Sequence, residues 1–181
     1  MNSAQIGPYD HVVASLEASD PRSADVAELV ASWVKQTMPE LEVEHVGSTA
    51  VPQLAGKGIV DLMVLYPEGM LAQAREALDA LGFQRQTFGV PFPEERPMRV
   101  GTVLLEGKVY RVHAHVLVAT SWEVDCLRAF RDRLRADPGL AAAYVERKRE
   151  LIAAGIVESP DYAEHKGGFI LAAIDDWSGR G

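Results

Sequence analysis

The feature that most constrains the fold is an apolar run in the middle of the chain, from Ile59 to Tyr66. Its residues are almost all apolar, without the alternation of a half-solvated strand, so the run predicts a central strand that is covered on both faces. Asp61 is the one charge that interrupts it. Such a strand needs neighbouring strands and covering helices, so the sequence predicts a layered fold of sheet and helices.

Weaker patterns place the other elements around this strand. Helices are predicted over 21–38, 71–81, 122–136, 138–153 and 160–177. Further strands are predicted over 41–46, 83–88, 99–106 and 108–118. The last two strands form a hairpin at Glu106-Gly107. Because these hairpin strands follow each other directly, the predicted fold class is α+β, a mixed sheet with flanking helices and a three-helix carboxyl-terminal segment.

The length fits one domain over residues 1–181, with the sheet core at about 8–120 and the carboxyl-terminal helices at about 121–178. The 18 Lys and Arg residues stand against 26 Asp and Glu residues, a formal net charge of −8 at pH 7. This balance disfavours duplex nucleic acid and anionic membranes as partners, since both attract basic surfaces. It remains compatible with a small anionic ligand in a local basic pocket.

Cysteine content and the amino terminus bear on the compartment. Cys126 is the one cysteine, which excludes an intramolecular disulfide and a cysteine-based zinc site and fits a reducing compartment. The amino terminus shows neither the basic nor the apolar segment of a signal peptide, and no apolar run reaches the length of a membrane span. We therefore expect a cytoplasmic protein.

The first candidate site is Gly47-Ser48-Thr49, which directly follows the predicted strand over 41–46. A turn of small residues exposes backbone N–H groups and two hydroxyls, which suit phosphate oxygens. A purely structural turn explains the same residues, so both interpretations stay open.

The second candidate site joins Asp61 to the strand over 108–118. A carboxylate inside a buried strand is costly unless it is paired or binds a cation, so Asp61 is either a hydrogen-bonded structural residue or a metal or general-base carboxylate. Alternation places Arg111, His113 and His115 on one face of their strand. Two imidazoles in that relation can ligate one metal or contact one anion, unless this face is simply solvated.

Basic residues also occur within the apolar stripes of the predicted carboxyl-terminal helices. Arg131 adjoins Phe130, Lys148 lies four positions after Tyr144, and Lys166 occupies a corresponding position on the last helix. Such residues often cover apolar surface with their stems while the charge reaches water. The alternative is an anion site, and the sequence leaves both explanations open.

Together these residues resemble the signature of the GrpB family. The similarity rests on segments 45–52 and 54–57 followed by Asp61, and on later matches at 88–91, 113–115, 130–132, 144–148 and 162–170. It extends from about residue 8 to residue 174. Members of this family resemble the nucleotidyltransferase fold in their sheet, so the resemblance implies a nucleotidyltransferase-like α+β fold.

The nucleotidyltransferase pattern combines a Gly-Ser turn with two carboxylates on the next strand and a third on a later strand, which together hold two divalent ions. The turn at 47–48 and Asp61 match this pattern, but the second carboxylate position is Met63, and a thioether is a poor Mg²⁺ ligand. The third position falls on the strand with His113 and His115. The resemblance thus implies at most one divalent ion, Mn²⁺, Mg²⁺ or Zn²⁺, held by Asp61, His113 and His115, and imidazole disfavours Mg²⁺.

The same resemblance implies a set of residues that would contact an anionic ligand, with Asp61 as the catalytic residue. The ligand-binding residues would be Gly47, Ser48, Thr49, Lys57, Arg111, Arg131, Lys148 and Lys166. Relatives usually carry Gly at the position of Gln53 and Pro at the position of Gly58, so the local geometry of this loop is expected to depart from theirs.

Three functions fit these features. The first is an enzyme that transfers a nucleotidyl or phosphoryl group with the help of one metal ion. The second, favoured by Met63, is a non-catalytic module that binds a nucleotide or a coenzyme fragment. The third is a protein-interaction domain with a relic pocket, since some relatives are fused to a dephospho-coenzyme A kinase. In the first two cases the partner is a small anionic molecule; neither its identity nor the oligomeric state follows from the sequence.

Overall fold

A computed structural model of the protein describes residues 5–13 and 15–156, together with Gly168 and Ala172. Lys166 and most of the predicted helix over 160–177 lie outside the described residues. Within the described part, no helix combines the length and the apolar character needed to cross a membrane.

A five-stranded mixed sheet forms the centre of the fold, which confirms the α+β class. Its strands are β1 (Glu42–Val46), β2 (Ile59–Tyr66), β3 (Gln84–Arg85), β4 (Met98–Leu105) and β5 (Lys108–Val118). They lie in the order β1-β2-β5-β4-β3. Strands β2 and β5 are parallel, and the other three neighbouring pairs are antiparallel. The apolar strand β2 therefore lies inside the sheet, as its sequence predicts.

Four helices accompany the sheet among the described residues: α1 (Arg22–Thr37), α2 (Leu71–Leu81), α3 (Trp122–Ala136) and α4 (Pro138–Ala153). The Ser121 and Asp137 side chains cap α3 and α4 by accepting hydrogen bonds from the backbone N–H groups of Glu123 and Leu140. Gly82 ends α2 in the left-handed conformation, at φ 104°, which glycine adopts without a steric cost.

The two faces of the sheet pack against different partners. The even-numbered residues of β2 contact α1 and α2 and form the largest apolar core. On the opposite face, Met63 and Leu65 pack with Val124 of α3 in a second, smaller core. Asp61 continues this second face towards the start of β2, so a polar region adjoins a closed core.

Most predicted bounds lie within one residue of the structure, and one strand is much shorter than predicted. Helix α1 begins at Arg22, directly after Pro21, and Asp20 accepts a hydrogen bond from the Arg22 backbone N–H at 3.0 Å. The strand predicted over 83–88 is confined to Gln84–Arg85. Beyond it, the Gln86 side chain donates to backbone carbonyls of the following loop and accepts from the Phe92 N–H, which bends the chain away from the sheet.

The predicted hairpin is confirmed, and its turn explains the residues found there. Strand β4 ends at Leu105 and β5 begins at Lys108, which leaves Glu106 and Gly107 as a two-residue loop. Both have positive φ, 49° and 78°. Positive φ at both central residues identifies a type I′ turn, whose twist matches that of the paired strands.

Candidate functional site

A cleft of about 130 Å³ opens where the polar end of the sheet meets the Gly47-Ser48 turn and helix α4. Its walls consist of Ser48, Lys57, Ile59, Asp61, His113, Tyr144 and Lys148. The structure thus brings together five of the predicted site residues: Ser48, Lys57, Asp61, His113 and Lys148.

The parallel pairing of β2 and β5 positions the carboxylate and the imidazoles. Asp61 lies opposite His113, and Met63 lies opposite His115. Asp61 Oδ1 is 3.7 Å from His113 Nδ1 and 4.0 Å from His115 Nε2. The shared face that alternation predicts for His113 and His115 therefore coincides with the face of Asp61.

Gly47 allows the Asp61 carboxylate to lie directly against the turn. Its φ is +70°, and a Cβ built on it would lie 2.5 Å from Asp61 Oδ2. Any other residue would combine a strained backbone with a steric overlap. The turn continues as a single 3₁₀ turn over Ser48–Ala50. Ser48 therefore directly follows, in the sequence, the glycine that lies against the carboxylate.

Lys148 reaches the cleft from helix α4, although its side chain is only 4% exposed. Its Nζ donates to the Ala55 carbonyl at 2.7 Å and lies 4.5 Å from the centre of the Tyr144 ring. A Cβ on Gly56 would overlap the Ser48 hydroxyl and lie 3.5 Å from Lys148 Nζ. The Ser48 hydroxyl and the Lys148 ammonium therefore both lie next to Gly56, where a side chain would separate them.

Thr49 and His45 support the turn from behind. The Thr49 hydroxyl donates to the Ile59 carbonyl at 3.1 Å. Because a hydroxyl has one hydrogen, the 2.9 Å hydrogen bond between Thr49 and His45 has His45 Nε2–H as its donor. Burial lowers the pKa of His45 to about 4, so this imidazole is neutral at pH 7. The predicted ligand-binding role of Thr49 thus competes with a structural one.

Two predicted cationic ligands, Arg111 and Arg131, do not line the cleft. Arg111 donates to the Lys57 carbonyl at 2.9 Å and lies 3.6 Å from Glu17. It therefore positions Lys57. Arg131 binds Glu44 at 3.1 Å and Asp132 at 2.7 Å, and it donates to a β1 carbonyl. Its charge joins α3 to β1.

Two residues near the site carry no clear sequence signal. The Tyr9 hydroxyl lies 2.8 Å from His113 Nε2 and forms a hydrogen bond with it. Glu17 approaches Arg111 and forms a β-bridge with Gly56. Both belong to the segment before α1, where no periodic pattern marks them, and their partners are distant in the sequence.

A metal ion fits this site only in part. Donor atoms of one ion at about 2.0–2.2 Å must lie within about 4.4 Å of each other, and both distances from Asp61 to an imidazole satisfy this limit. Among the described residues, however, no group of three or more His, Cys, Asp or Glu is placed to hold a metal ion. Met63 is fully buried in the second core, so a two-metal site does not fit. A single ion would need further donor atoms from a ligand.

Fold and cleft together define a mixed-sheet α+β protein in which a Gly-Ser turn faces an aspartate and two histidines. The chain belongs to the GrpB family, because the family model "GrpB protein" matches residues 14–176. A UPF0157 protein of Streptomyces coelicolor is 35% identical over 133 residues, which are 74% of this chain and 67% of that protein. The matched segment spans about half to two thirds of the length of that protein and of the UPF0157 proteins of Pseudomonas aeruginosa and Vibrio cholerae.

Solved structures agree with this family. The crystal structure of the conserved protein GrpB from Enterococcus faecalis has a TM-score of 0.65 and 24% identity, over 90% of this chain and 99% of that chain. It shows that the fold is shared. A structure of Cid1 in complex with its short product ApU matches more weakly, with a TM-score of 0.44 and 19% identity over 73% of this chain and 43% of that chain. A similarity of this size carries no argument about activity.

Proposed function

We propose that the protein binds a small phosphate-bearing anion, a nucleotide or a coenzyme fragment, in the cleft. The observation that carries the proposal is the Lys148 ammonium, which lines the cleft from an almost completely buried side chain. A cation in such surroundings attracts an anion more strongly than a surface lysine does, because water screens it less. The Ser48 hydroxyl beside it offers a hydrogen bond to the same anion.

The other residues that line the cleft also favour a particular kind of ligand. Lys57 contributes a second ammonium, held through its carbonyl by Arg111. The turn at 47–49 offers backbone N–H groups of the kind that bind phosphate. Asp61 also lines the cleft, and its carboxylate would repel phosphate and accept a hydrogen bond from a ligand hydroxyl. The cleft thus favours a ligand with an anionic end and a hydroxylated portion.

Transfer of a nucleotidyl or phosphoryl group is the second candidate function, favoured by the proximity of Asp61 to His113 and His115. Asp61 and one of the two imidazoles would hold one divalent ion together with ligand oxygens. Such an ion would neutralise charge on the phosphate and polarise its oxygens. In this function Asp61 is the catalytic residue.

Thermal unfolding with ligands tests the proposal. Chelator-treated protein is melted with each of the four ribonucleoside triphosphates, with and without Mn²⁺. A ligand at about one hundred times its dissociation constant adds roughly 2.7 kcal/mol to the free energy of unfolding, a rise of several degrees in the melting temperature. We expect this rise for the natural sequence and its loss in Lys148→Met.

Two further variants sharpen the result. Lys35→Met removes an exposed charge from α1, far from the cleft, and should leave the rise unchanged. Asp61→Asn should remove only the part of the rise that depends on Mn²⁺. If that part persists, Asp61 does not hold the metal ion, and the transfer function is contradicted. Absence of any rise with all four nucleotides contradicts the proposal and favours a protein-interaction domain.

A further inference from the structure

Four rings meet beside the cleft, and we name them the ring cluster: Tyr9, His11, Phe88 and His113. Phe88 stacks on Tyr9 with ring centres 5.1 Å apart and planes inclined by 10°. The His11 ring lies 4.4 Å from Phe88, and the His113 ring lies 5.9 Å from it. These residues come from the amino-terminal segment, from the loop after β3 and from β5, so the fold assembles the cluster from three distant parts of the chain.

The ring cluster borders the surface: His11 is exposed, and the other three rings are partly buried. None of its members belongs to the three apolar cores found among the described residues. The aliphatic residues Val12, Val13 and Val90, which neighbour these rings in the sequence, are 54%, 70% and 50% exposed. Apolar groups gathered at the surface beside a polar cleft are typical of a binding surface.

The amino-terminal segment is held against the rest of the fold at both ends. Gly7 forms a β-bridge with Thr102, and Glu17 forms one with Gly56. Between them, the Tyr9 backbone N–H donates to the Gln84 side chain at 3.2 Å, and the Tyr9 hydroxyl binds His113. The rings are therefore positioned before a ligand arrives, which lowers the entropic cost of binding one.

Size decides where the rest of a ligand must lie. Sites for small molecules usually measure about 300–1,000 Å³, whereas the cleft measures about 130 Å³. It can enclose a phosphate group but not a whole nucleotide. His113 lines the cleft and also contacts Phe88, so the space next to the cleft on this side is bordered by the ring cluster.

We infer that the ring cluster binds the planar base of a nucleotide or coenzyme fragment whose phosphate occupies the cleft. Bases stack on aromatic side chains through their faces, and this interaction is available to every base. The inference rests on the proposed function and assigns the base of the ligand to a definite surface. It also implies that the four common bases bind with similar affinity.

Isothermal titration of the full chain with ATP and with inorganic tripolyphosphate tests the inference. Both ligands carry three linked phosphates, but only ATP carries a base. We expect ATP to bind roughly tenfold more tightly than tripolyphosphate, the size of effect that stacking of one base gives. Phe88→Leu keeps an apolar side chain without a ring, so it should bring the two affinities together by weakening ATP alone.

A matched control and a second variant distinguish loss of base binding from loss of the fold. Phe92→Leu alters another ring of the same loop, which contacts His115 instead of the ring cluster, and should preserve the tenfold preference. The natural sequence contains three tryptophans, so the fluorescence of Phe88→Trp is compared with that of the natural sequence. ATP should quench a larger share of the fluorescence in the variant, and tripolyphosphate should not.

Three results overturn the inference while leaving the proposed function intact. The first is equal affinity of the natural sequence for ATP and tripolyphosphate. The second is a Phe88→Leu variant, with an unchanged melting temperature, that weakens both ligands alike. The third is a Phe88→Trp variant whose fluorescence saturating ATP quenches no more than it quenches that of the natural sequence. If neither ligand binds the natural sequence, the proposed function itself fails and the inference fails with it.

Discussion

Arg99 and Lys148 are the two basic side chains buried within the described part of the protein, 1% and 4% exposed. Arg99 lies on β4 between two carboxylates, with Asp79 at 2.8 Å and Glu94 at 3.2 Å. Lys148 lies on α4, where its Nζ donates to a carbonyl, contacts a ring and faces the cleft. Arg99 joins α2, β4 and the loop before β4, whereas Lys148 presents its charge to a space that a ligand can enter.

The difference shows that burial of a cation does not by itself identify a binding residue. A buried charge is costly unless it is paired and hydrogen-bonded. Arg99 meets that requirement with carboxylates from two elements, and the arrangement fixes the loop over 89–97. For Lys148, the open side of the cleft allows an added anion to meet part of the same requirement. The surroundings of each charge therefore separate the structural role of Arg99 from the binding role proposed for Lys148.

Removal of both carboxylates around Arg99 should have the largest effect. The double variant Asp79→Asn with Glu94→Gln leaves a buried guanidinium without anionic partners, which typically costs about 3 kcal/mol. Urea unfolding should show this loss in the free energy of unfolding. Arg99→Met removes the charge itself and should cost less than the double variant. An equal or larger loss in Arg99→Met would mean that packing, not charge, makes Arg99 structural.

Lys148→Met should have a smaller effect on stability. The substitution leaves the Ala55 carbonyl without this donor, at a cost of about 1 kcal/mol, while it also removes the cost of burying the ammonium. We expect the free energy of unfolding to change by about 1 kcal/mol or less, although nucleotide binding is lost. A destabilisation as large as that of the Asp79/Glu94 double variant would place Lys148 with Arg99 as a structural cation.

The smallest expected effect is a difference between Arg99→Met and the natural sequence in how much stability is lost at acid pH. Hydrogen bonds from Arg99 hold the pKa of Glu94 below its ordinary value. The resulting stabilisation is complete above the pKa of the unfolded chain, about 4.3, and is lost as the pH falls through the folded pKa. Between about pH 5 and pH 3, Arg99→Met should therefore lose less stability than the natural sequence in urea unfolding. Parallel losses would contradict this account; Lys35→Met is the control.

The parts of the site that follow from local patterns could be predicted from the sequence. Alternation along β5 places His113 and His115 on one face, and the apolar run around Asp61 identifies β2. The sequence also suggests that a second carboxylate is missing at Met63, which the structure places in a closed core. These inferences need only the period of a strand and the chemistry of one side chain.

The partners of the cations could not be predicted in the same way. Arg131 and Lys148 look alike in the sequence, since both lie beside apolar residues on carboxyl-terminal helices. In the structure Arg131 meets Glu44 of β1, while Lys148 meets the loop at Ala55. Each partner lies more than eighty positions away, and such contacts depend on how the helices pack and not on any local period.

The loop between β1 and β2 could be predicted from the sequence only in part. Its departures from the family pattern at Gln53 and Gly58 predict an altered backbone, but not its shape. Gln53 has φ 64°, a left-handed conformation that glycine would adopt more easily, and Gly58 has φ 67°. Proline is fixed near −65°, so the backbone found at Gly58 excludes the proline that the family resemblance predicts there.

The parallel pairing of β2 and β5 has a consequence for the newly synthesised chain. Strand β1 and its antiparallel neighbour β2 leave the ribosome close together, so their pairing involves mainly local contacts. β5 is made only after α2, β3 and β4, and it then has to insert between β2 and β4. Pairings that span so much sequence form slowly. Asp61 therefore gains its imidazole neighbours late in folding, and a ribosome-bound fragment that ends before β5 lacks His113 and Lys148 of the candidate site.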